Sequence, residues 1–172
     1  MKHKLFKYAI VLILMGCLAM PAFGADSQDA PVFKTLLSFK SLGRWFPGQV
    51  VNLELFAYNL QDIQKFRMDV KYNPNQLRLV YVSRGTFLVE GQGLAEWNSG
   101  VVDHQQGLAA KISGIRTQSF NGKETILIRL NFVVTGAGNG QITLENSKII
   151  SSKGIEREFD FTPLQYQIEQ EK

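Results

Sequence analysis

Residues 65–82 read KFRMDVKYNPNQLRLVYV, and the fold turns on this stretch. Phe66, Met68, Val70 and Tyr72 recur at period two, with Lys65, Arg67, Asp69 and Lys71 between them. Side chains alternate across a strand, so this pattern predicts one buried and one wet face. Asn73-Pro74-Asn75 then ends the strand. Pro74 has no N–H to donate and a fixed φ, and the asparagines tolerate turn geometry. Leu77, Leu79 and Tyr81 restart the alternation, with Val80 and Val82 opposite. Two half-apolar strands around a proline corner fit an antiparallel sheet.

The same grammar extends in both directions. Upstream, a first strand is predicted over Phe33–Phe39. Pro47-Gly48 signals a turn, and in Gln49–Tyr58 the residues Val51, Leu53, Leu55 and Ala57 form one face. Asn59–Gln64 reads as a connector. Downstream, Phe87 and Leu88 are expected to anchor a looser glycine-flanked region, and Leu94–Asn98 is a short strand. Ser99–Gly107 reads as a polar loop carrying His104. In Leu108–Ile115, Leu108, Ala110 and Ile112 are expected inward, with Ala109, Lys111 and Ser113 outward. Arg116–Lys123 reads as a loop with an Asn121-Gly122 turn. In Thr125–Thr135, Ile126, Ile128, Leu130, Phe132 and Val134 form one face. A glycine-rich turn at Gly136–Gly140, a strand over Gln141–Ile150, and a final strand or pair between Glu156 and Ile168 broken at Pro163 complete the chain. No segment holds a helical period over three turns. About nine short strands with glycine and proline punctuation predict an all-β sandwich or barrel.

Composition narrows the function classes. The chain has 172 residues, with one cysteine (Cys17) and two histidines (His3, His104). Disulfides, thiolate sites and multi-histidine metal sites are thereby excluded from the folded part. The N-terminus carries Lys2, Lys4 and Lys7, an apolar run from Tyr8 to Met20, and Ala22-Phe23-Gly24 before Ala25. This is the layout of a Sec-type signal peptide over residues 1–24, followed by a polar spacer at 25–31. Leu14-Met15-Gly16-Cys17 offers the competing reading of a lipoprotein box, weakened by Met15 and by the apolar residues after Cys17. Removing 24 residues with three lysines and no acid leaves 148 residues with 16 basic and 15 acidic side chains. A nearly neutral, evenly charged chain gives no case for nucleic acid. The expected product is secreted or held in the periplasm or envelope, with no transmembrane helix in the mature chain. Its one domain spans 32–168, with a polar tail at 169–172.

The order of these segments resembles the cohesin domain family. Pro47-Gly48-Gln49-Val50-Val51 before an alternating strand is similar to the family's opening. Tyr72-Asn73-Pro74-Asn75-Gln76-Leu77 resembles its corner, with Asn73 where the family usually has aspartate; both residues can form an Asx-turn. Val82…Gly85 resembles the segment that follows the corner. Ile126–Val134, the glycine-rich turn and Ile142-Thr143-Leu144 resemble its late block. The resemblance covers most of residues 47–150. It implies a nine-stranded jelly-roll sandwich that holds calcium-loaded dockerin modules, often in assemblies that degrade plant polysaccharides. The calcium would belong to the partner dockerin, so no cofactor is expected on this chain. One module is present, without a linker or second copy, which implies a stand-alone cohesin-like protein.

The residues point to no catalytic machinery. His104 is a lone histidine in a polar loop, and no helix follows Gly136, Gly138 and Gly140 to complete a phosphate loop. Glu54, Asp62, Asp69, Asp103, Glu145 and Asp160 are candidate acid–base carboxylates, but nothing in their spacing pairs them. The chain is expected not to be an enzyme and to hold no metal. By position in the resemblance, the partner-binding residues are Lys65, Arg67, Asp69 and Lys71 on the third strand and Lys111 and Ser113 on the sixth. The alternative is a carbohydrate-binding sandwich, with Trp45 and Trp97 foremost among the aromatic candidates and Tyr58 and Tyr81 behind them. A third reading is a structural part of a pilus, secretion or envelope assembly that reuses the fold.

Overall fold

A computed structural model describes residues 34–40, 44–91 and 93–170. Among them are ten strands: β1 Thr35–Lys40, β2 Val50–Lys71, β3 Leu77–Arg84, β4 Ala95–Asn98, β5 Val101–Asp103, β6 Leu108–Val134, β7 Gly138–Ser151, β8 Glu156–Arg157, β9 Phe159–Thr162 and β10 Leu164–Ile168. β2 and β6 pair antiparallel from Val50↔Val133 to Lys71↔Leu108. This ribbon takes part in two layers. In the first, residues 50–58 and 124–134 give the order β9-β1-β2-β6-β3, with β9 parallel to β1. In the second, residues 63–71 and 108–116 give the order β7-β2-β6, with β4 and β5 along the free edge. Pro163, which has no ladder N–H, stands where the chain leaves β1 and joins β7 through β10. The result is the expected all-β jelly-roll sandwich.

Two predicted loops are instead the middle of the ribbon. Asn59–Gln64 and Arg116–Lys123 lie within β2 and β6 and pair with each other through Leu60↔Gly122 and Ile63↔Phe120. Asn59 and Asp62 have φ of 56° and 55°. Such residues tolerate the left-handed region, and here they make bulges rather than a chain reversal. Asn121 Oδ1 accepts the Asp62 N–H at 2.7 Å and fastens the bend. Bulges also correct three predicted faces. Val80 is an extra residue between the pairs Leu79↔Phe132 and Tyr81↔Asn131, so Leu77 and Leu79 are buried while Tyr81 is exposed and Val82 packs against the core. Leu127 is an extra residue between the pairs Leu55↔Ile128 and Phe56↔Ile126. Leu127 is therefore buried and Ile126 partly exposed, while Ile128, Leu130, Phe132 and Val134 are buried as expected. Ala110 and Lys111 together face Asp69, so Ala109 and Ile112 turn inward in place of the predicted Leu108-Ala110-Ile112 set. The predicted polar loop 99–107 contains β5, and the glycine turn is shorter than expected because Gly138 and Gly140 lie within β7.

Leu53, Leu55 and Ala57 of the first layer share one core with Phe66, Met68 and Val70 of the second. Tyr72 meets Phe132 edge-on at 5.1 Å across the layers. Each fully buried large apolar side chain contributes about 1.5–3 kcal/mol. The corner after β2 closes as an Asx-turn, the Asn75 N–H donating to Asn73 Oδ1 at 3.0 Å. Gln76 follows and is buried. Its Nε2 donates to the carbonyls of Ala137 and Asn139, and its Oε1 accepts the Tyr166 hydroxyl at 3.0 Å. One side chain thus joins the corner, the glycine turn and the last strand. Burial away from water pushes the Tyr166 hydroxyl up to about 12.

The predicted signal peptide and spacer lie outside the described residues. The predicted polar tail starts at Glu169, whose N–H donates to the Trp45 carbonyl at 3.0 Å and whose carboxylate pairs with Arg44 at 3.2 Å. The first tail residue is therefore tied to the body. Among the described residues no helix is long and apolar enough to cross a membrane.

Candidate functional site

The outer face of the second layer is built by register. Asn98, Ser113, Arg67 and Lys148 stand side by side across four strands. One step along lies the row Glu96, Ile115, Lys65 and Ile150. On the other side, Asp103, Leu108, Lys71 and Thr143 are aligned, and Val101 pairs with Ala110. All three rows carry charged side chains, and the two outer rows interleave them with Ile115, Ile150 and Leu108. Val101 is 68% exposed, and Leu94, just before β4, is 80% exposed. Large apolar side chains left in water on a flat, strand-supported face favour burial against a partner.

Arg67 and Lys111 are exposed here, and Lys65, Lys71 and Ser113 are partly exposed. Lys71 Nζ donates to the Gln106 carbonyl at 2.6 Å, which holds it against the adjoining loop. Lys148 pairs with Glu156. Asp69 departs from the expectation of an outward recognition residue, being only 7% exposed. Its Oδ1 accepts the backbone N–H of Lys111 at 2.6 Å, and its Oδ2 accepts Asn146 Nδ2 at 2.8 Å. Lys111 and Asn146 have φ of 62° and 46° and mark bulges on the strands either side of β2. One carboxylate fastens both, and it thereby sets where Lys111 projects. The period-two pattern placed Asp69 on the correct side of β2 but gave no sign that bulged neighbours close over it.

Trp45, expected among the exposed aromatics, is 2% exposed and stacks on Tyr166 at 4.8 Å. The turn signal after it positions the ring under β10, not in solvent. Trp97 is partly buried, tilted against Phe66 at 6.5 Å. Tyr81 is 52% exposed, on the opposite layer. The candidate carboxylates are dispersed. Glu54 pairs with Arg129 at 2.8 Å, Asp160 pairs with Lys34 at 2.8 Å, and Asp103 Oδ1 accepts the N–H groups of Gln105 and Gln106 beside exposed His104.

Arg116, the first residue of the predicted loop, is instead buried in β6. Its guanidinium donates to the carbonyls of Phe87 and Glu90 at 2.7 and 2.6 Å and lies 5.4 and 5.2 Å from the rings of Phe87 and Phe120. It fixes the 85–90 segment beside the β4 edge. Its position at the start of the predicted loop gives no signal of this.

No family model matches the chain, and no curated protein matches it in sequence. Solved structures do match in fold. A non-cellulosomal cohesin from the hyperthermophilic archaeon Archaeoglobus fulgidus superposes with a TM-score of 0.63 at 17% identity, over 79% of this chain and 91% of that one. A type II cohesin–X–dockerin complex from Acetivibrio cellulolyticus gives a TM-score of 0.63 at 11% identity, over 80% and 96%. A type I cohesin–dockerin complex from Clostridium thermocellum gives 0.62 at 12% identity, over 78% and 94%. The TM-scores and coverage agree: the chain has a cohesin-like fold.

Proposed function

We propose that this protein is an exported, non-catalytic protein-binding module that docks its partner on the outer face of the β7-β2-β6-β4/β5 layer. The observation that carries the reading is that face itself. It presents charged side chains interleaved with Ile115, Ile150 and Leu108 across paired strands, with Val101 and Leu94 left in water. The cohesins of similar fold include some solved as complexes with dockerins. By analogy the partner is a dockerin-like helical module that carries its own calcium. Lys65, Arg67, Lys71, Lys111 and Ser113 orient it, and Val101, Leu108 and Ile115 supply the burial. Asp69 supports the face from beneath.

The test is capture of a partner by the purified protein from the producing organism's exported proteins, with and without calcium chelation. A partner that is lost on chelation, and lost again to Arg67→Glu, supports the reading. Capture that ignores both changes demotes it in favour of an envelope-assembly role.

A further inference from the structure

The opposite layer carries a second site. On its outer face a cleft is lined by Lys40, Asn52, Glu54, Tyr81, Ser83 and Arg129. These side chains come from β1, β2, β3 and β6 and are held in register by Lys40↔Glu54↔Arg129↔Ser83 and Asn52↔Asn131↔Tyr81. The two cations of the cleft are each paired, Arg129 with Glu54 in the cleft and Lys40 with Glu124 beside it. Arg129 Nε donates to Glu54 Oε1 at 2.8 Å, and Lys40 pairs with Glu124 at 3.3 Å while lying 3.8 Å above the Phe56 ring. Asn131 Nδ2 donates to Asn52 Oδ1 at 2.5 Å. These bonds fix the polar groups yet leave donors and acceptors over: Asn52 Nδ2, Glu54 Oε2 and the hydroxyls of Ser83 and Tyr81. Tyr81 is half-exposed beside them. Farther along, Phe56 and Tyr58 stack at 6.2 Å and extend the aromatic surface.

We infer that this cleft binds a neutral glycan chain. An aromatic face stacks on the C–H face of a sugar ring, while mixed donors and acceptors answer hydroxyls, each of which both donates and accepts. Glu54 and Glu124 hold Arg129 and Lys40 in ion pairs, which leaves no unpaired cation in the lining to favour a phosphate or an acidic peptide. Groups already held on strands lose little freedom on binding. The site lies on the layer opposite the proposed protein-binding face and does not depend on that reading.

The experiment is native affinity electrophoresis of the purified protein in gels containing barley β-glucan, xyloglucan or galactomannan. Polygalacturonate serves as the anionic comparison, and Lys153→Ala, an exposed position in the turn after β7 and outside the cleft, is run as the control substitution. Retardation is expected in at least one neutral gel and should persist at raised salt. Tyr81→Ala and Asn52→Ala should each weaken it by at least about tenfold, as loss of a central contact does. Circular dichroism confirms that both variants remain folded. The inference is overturned by no retardation in any neutral gel, by retardation in polygalacturonate alone, or by undiminished retardation of folded Tyr81→Ala. Self-association that Tyr81→Ala abolishes, without glycan binding, would reassign the cleft to contact between copies and also overturn it.

Discussion

Asp69→Ala should destabilise the protein by about 3–4 kcal/mol, because the carboxylate serves two bulges at once. The Lys111 N–H at 2.6 Å and Asn146 Nδ2 at 2.8 Å would both lose an ionised acceptor in a site 7% exposed. Hydrogen bonds to charged groups are worth about 1.5–3 kcal/mol each, and slight access of water favours the lower end for each bond. Asp69→Asn retains one acceptor oxygen. It should cost about 1–2 kcal/mol, since its amide nitrogen must face one of the two donors. The assay is urea unfolding followed by circular dichroism, read as a shift in midpoint at constant slope. An exposed recognition residue would instead fall within about 0.5 kcal/mol of wild type. That outcome for Asp69→Ala would refute the double-bulge argument, as would Asp69→Asn proving the more damaging of the two.

Trp45→Ala should cost about 3–5 kcal/mol in the same assay, because the ring is buried against Tyr166; a change under about 1 kcal/mol would contradict its place in the core. Gly114→Ala should also destabilise, because its Cβ would stand 2.6 Å from the Phe66 ring; an unchanged midpoint would show that the ring yields freely. Tyr166 makes stability fall at alkaline pH. Its folded pKa of about 12 lies above the ordinary 10, so its contribution is complete below pH 10 and is lost as pH rises toward 12. The loss amounts to about 2–3 kcal/mol. Tyr166→Phe should flatten that alkaline limb while costing about 1 kcal/mol at neutral pH for the unpaired Gln76 oxygen. An alkaline limb identical to wild type would exclude Tyr166 as its source.

The sandwich was legible in the sequence because most of its strands obey strict alternation. Phe66, Met68, Val70 and Tyr72 are buried as period two requires, and Asn73 forms its Asx-turn. Alternation fails where an extra residue enters a strand. Leu127 and the Ala110-Lys111 pair each shift the faces on one side of them, and a bulge leaves no composition signal that separates it from a turn. For the same reason Asn59, Asp62 and Asn121-Gly122 read as loops, although they bend a continuous ribbon. The candidate face was legible in part. The exposure of Arg67 and Lys111 follows from the pattern, but the burial of Asp69 depends on bulges in strands more than 40 and 75 residues away. The aromatics were the least legible, since Trp45 is covered by a strand at the far end of the chain.

The claim that the β7-β2-β6-β4/β5 layer is the protein-binding face is tested most directly by titrating a captured, calcium-loaded partner against charge reversals on the two layers. Arg67→Glu lies in the middle row of the proposed face, and Arg78→Glu is exposed on β3 of the other layer. The account predicts a Kd raised at least about tenfold for Arg67→Glu, with Arg78→Glu close to wild type. A Kd raised by Arg78→Glu and untouched by Arg67→Glu would contradict it and move the interface to the opposite layer.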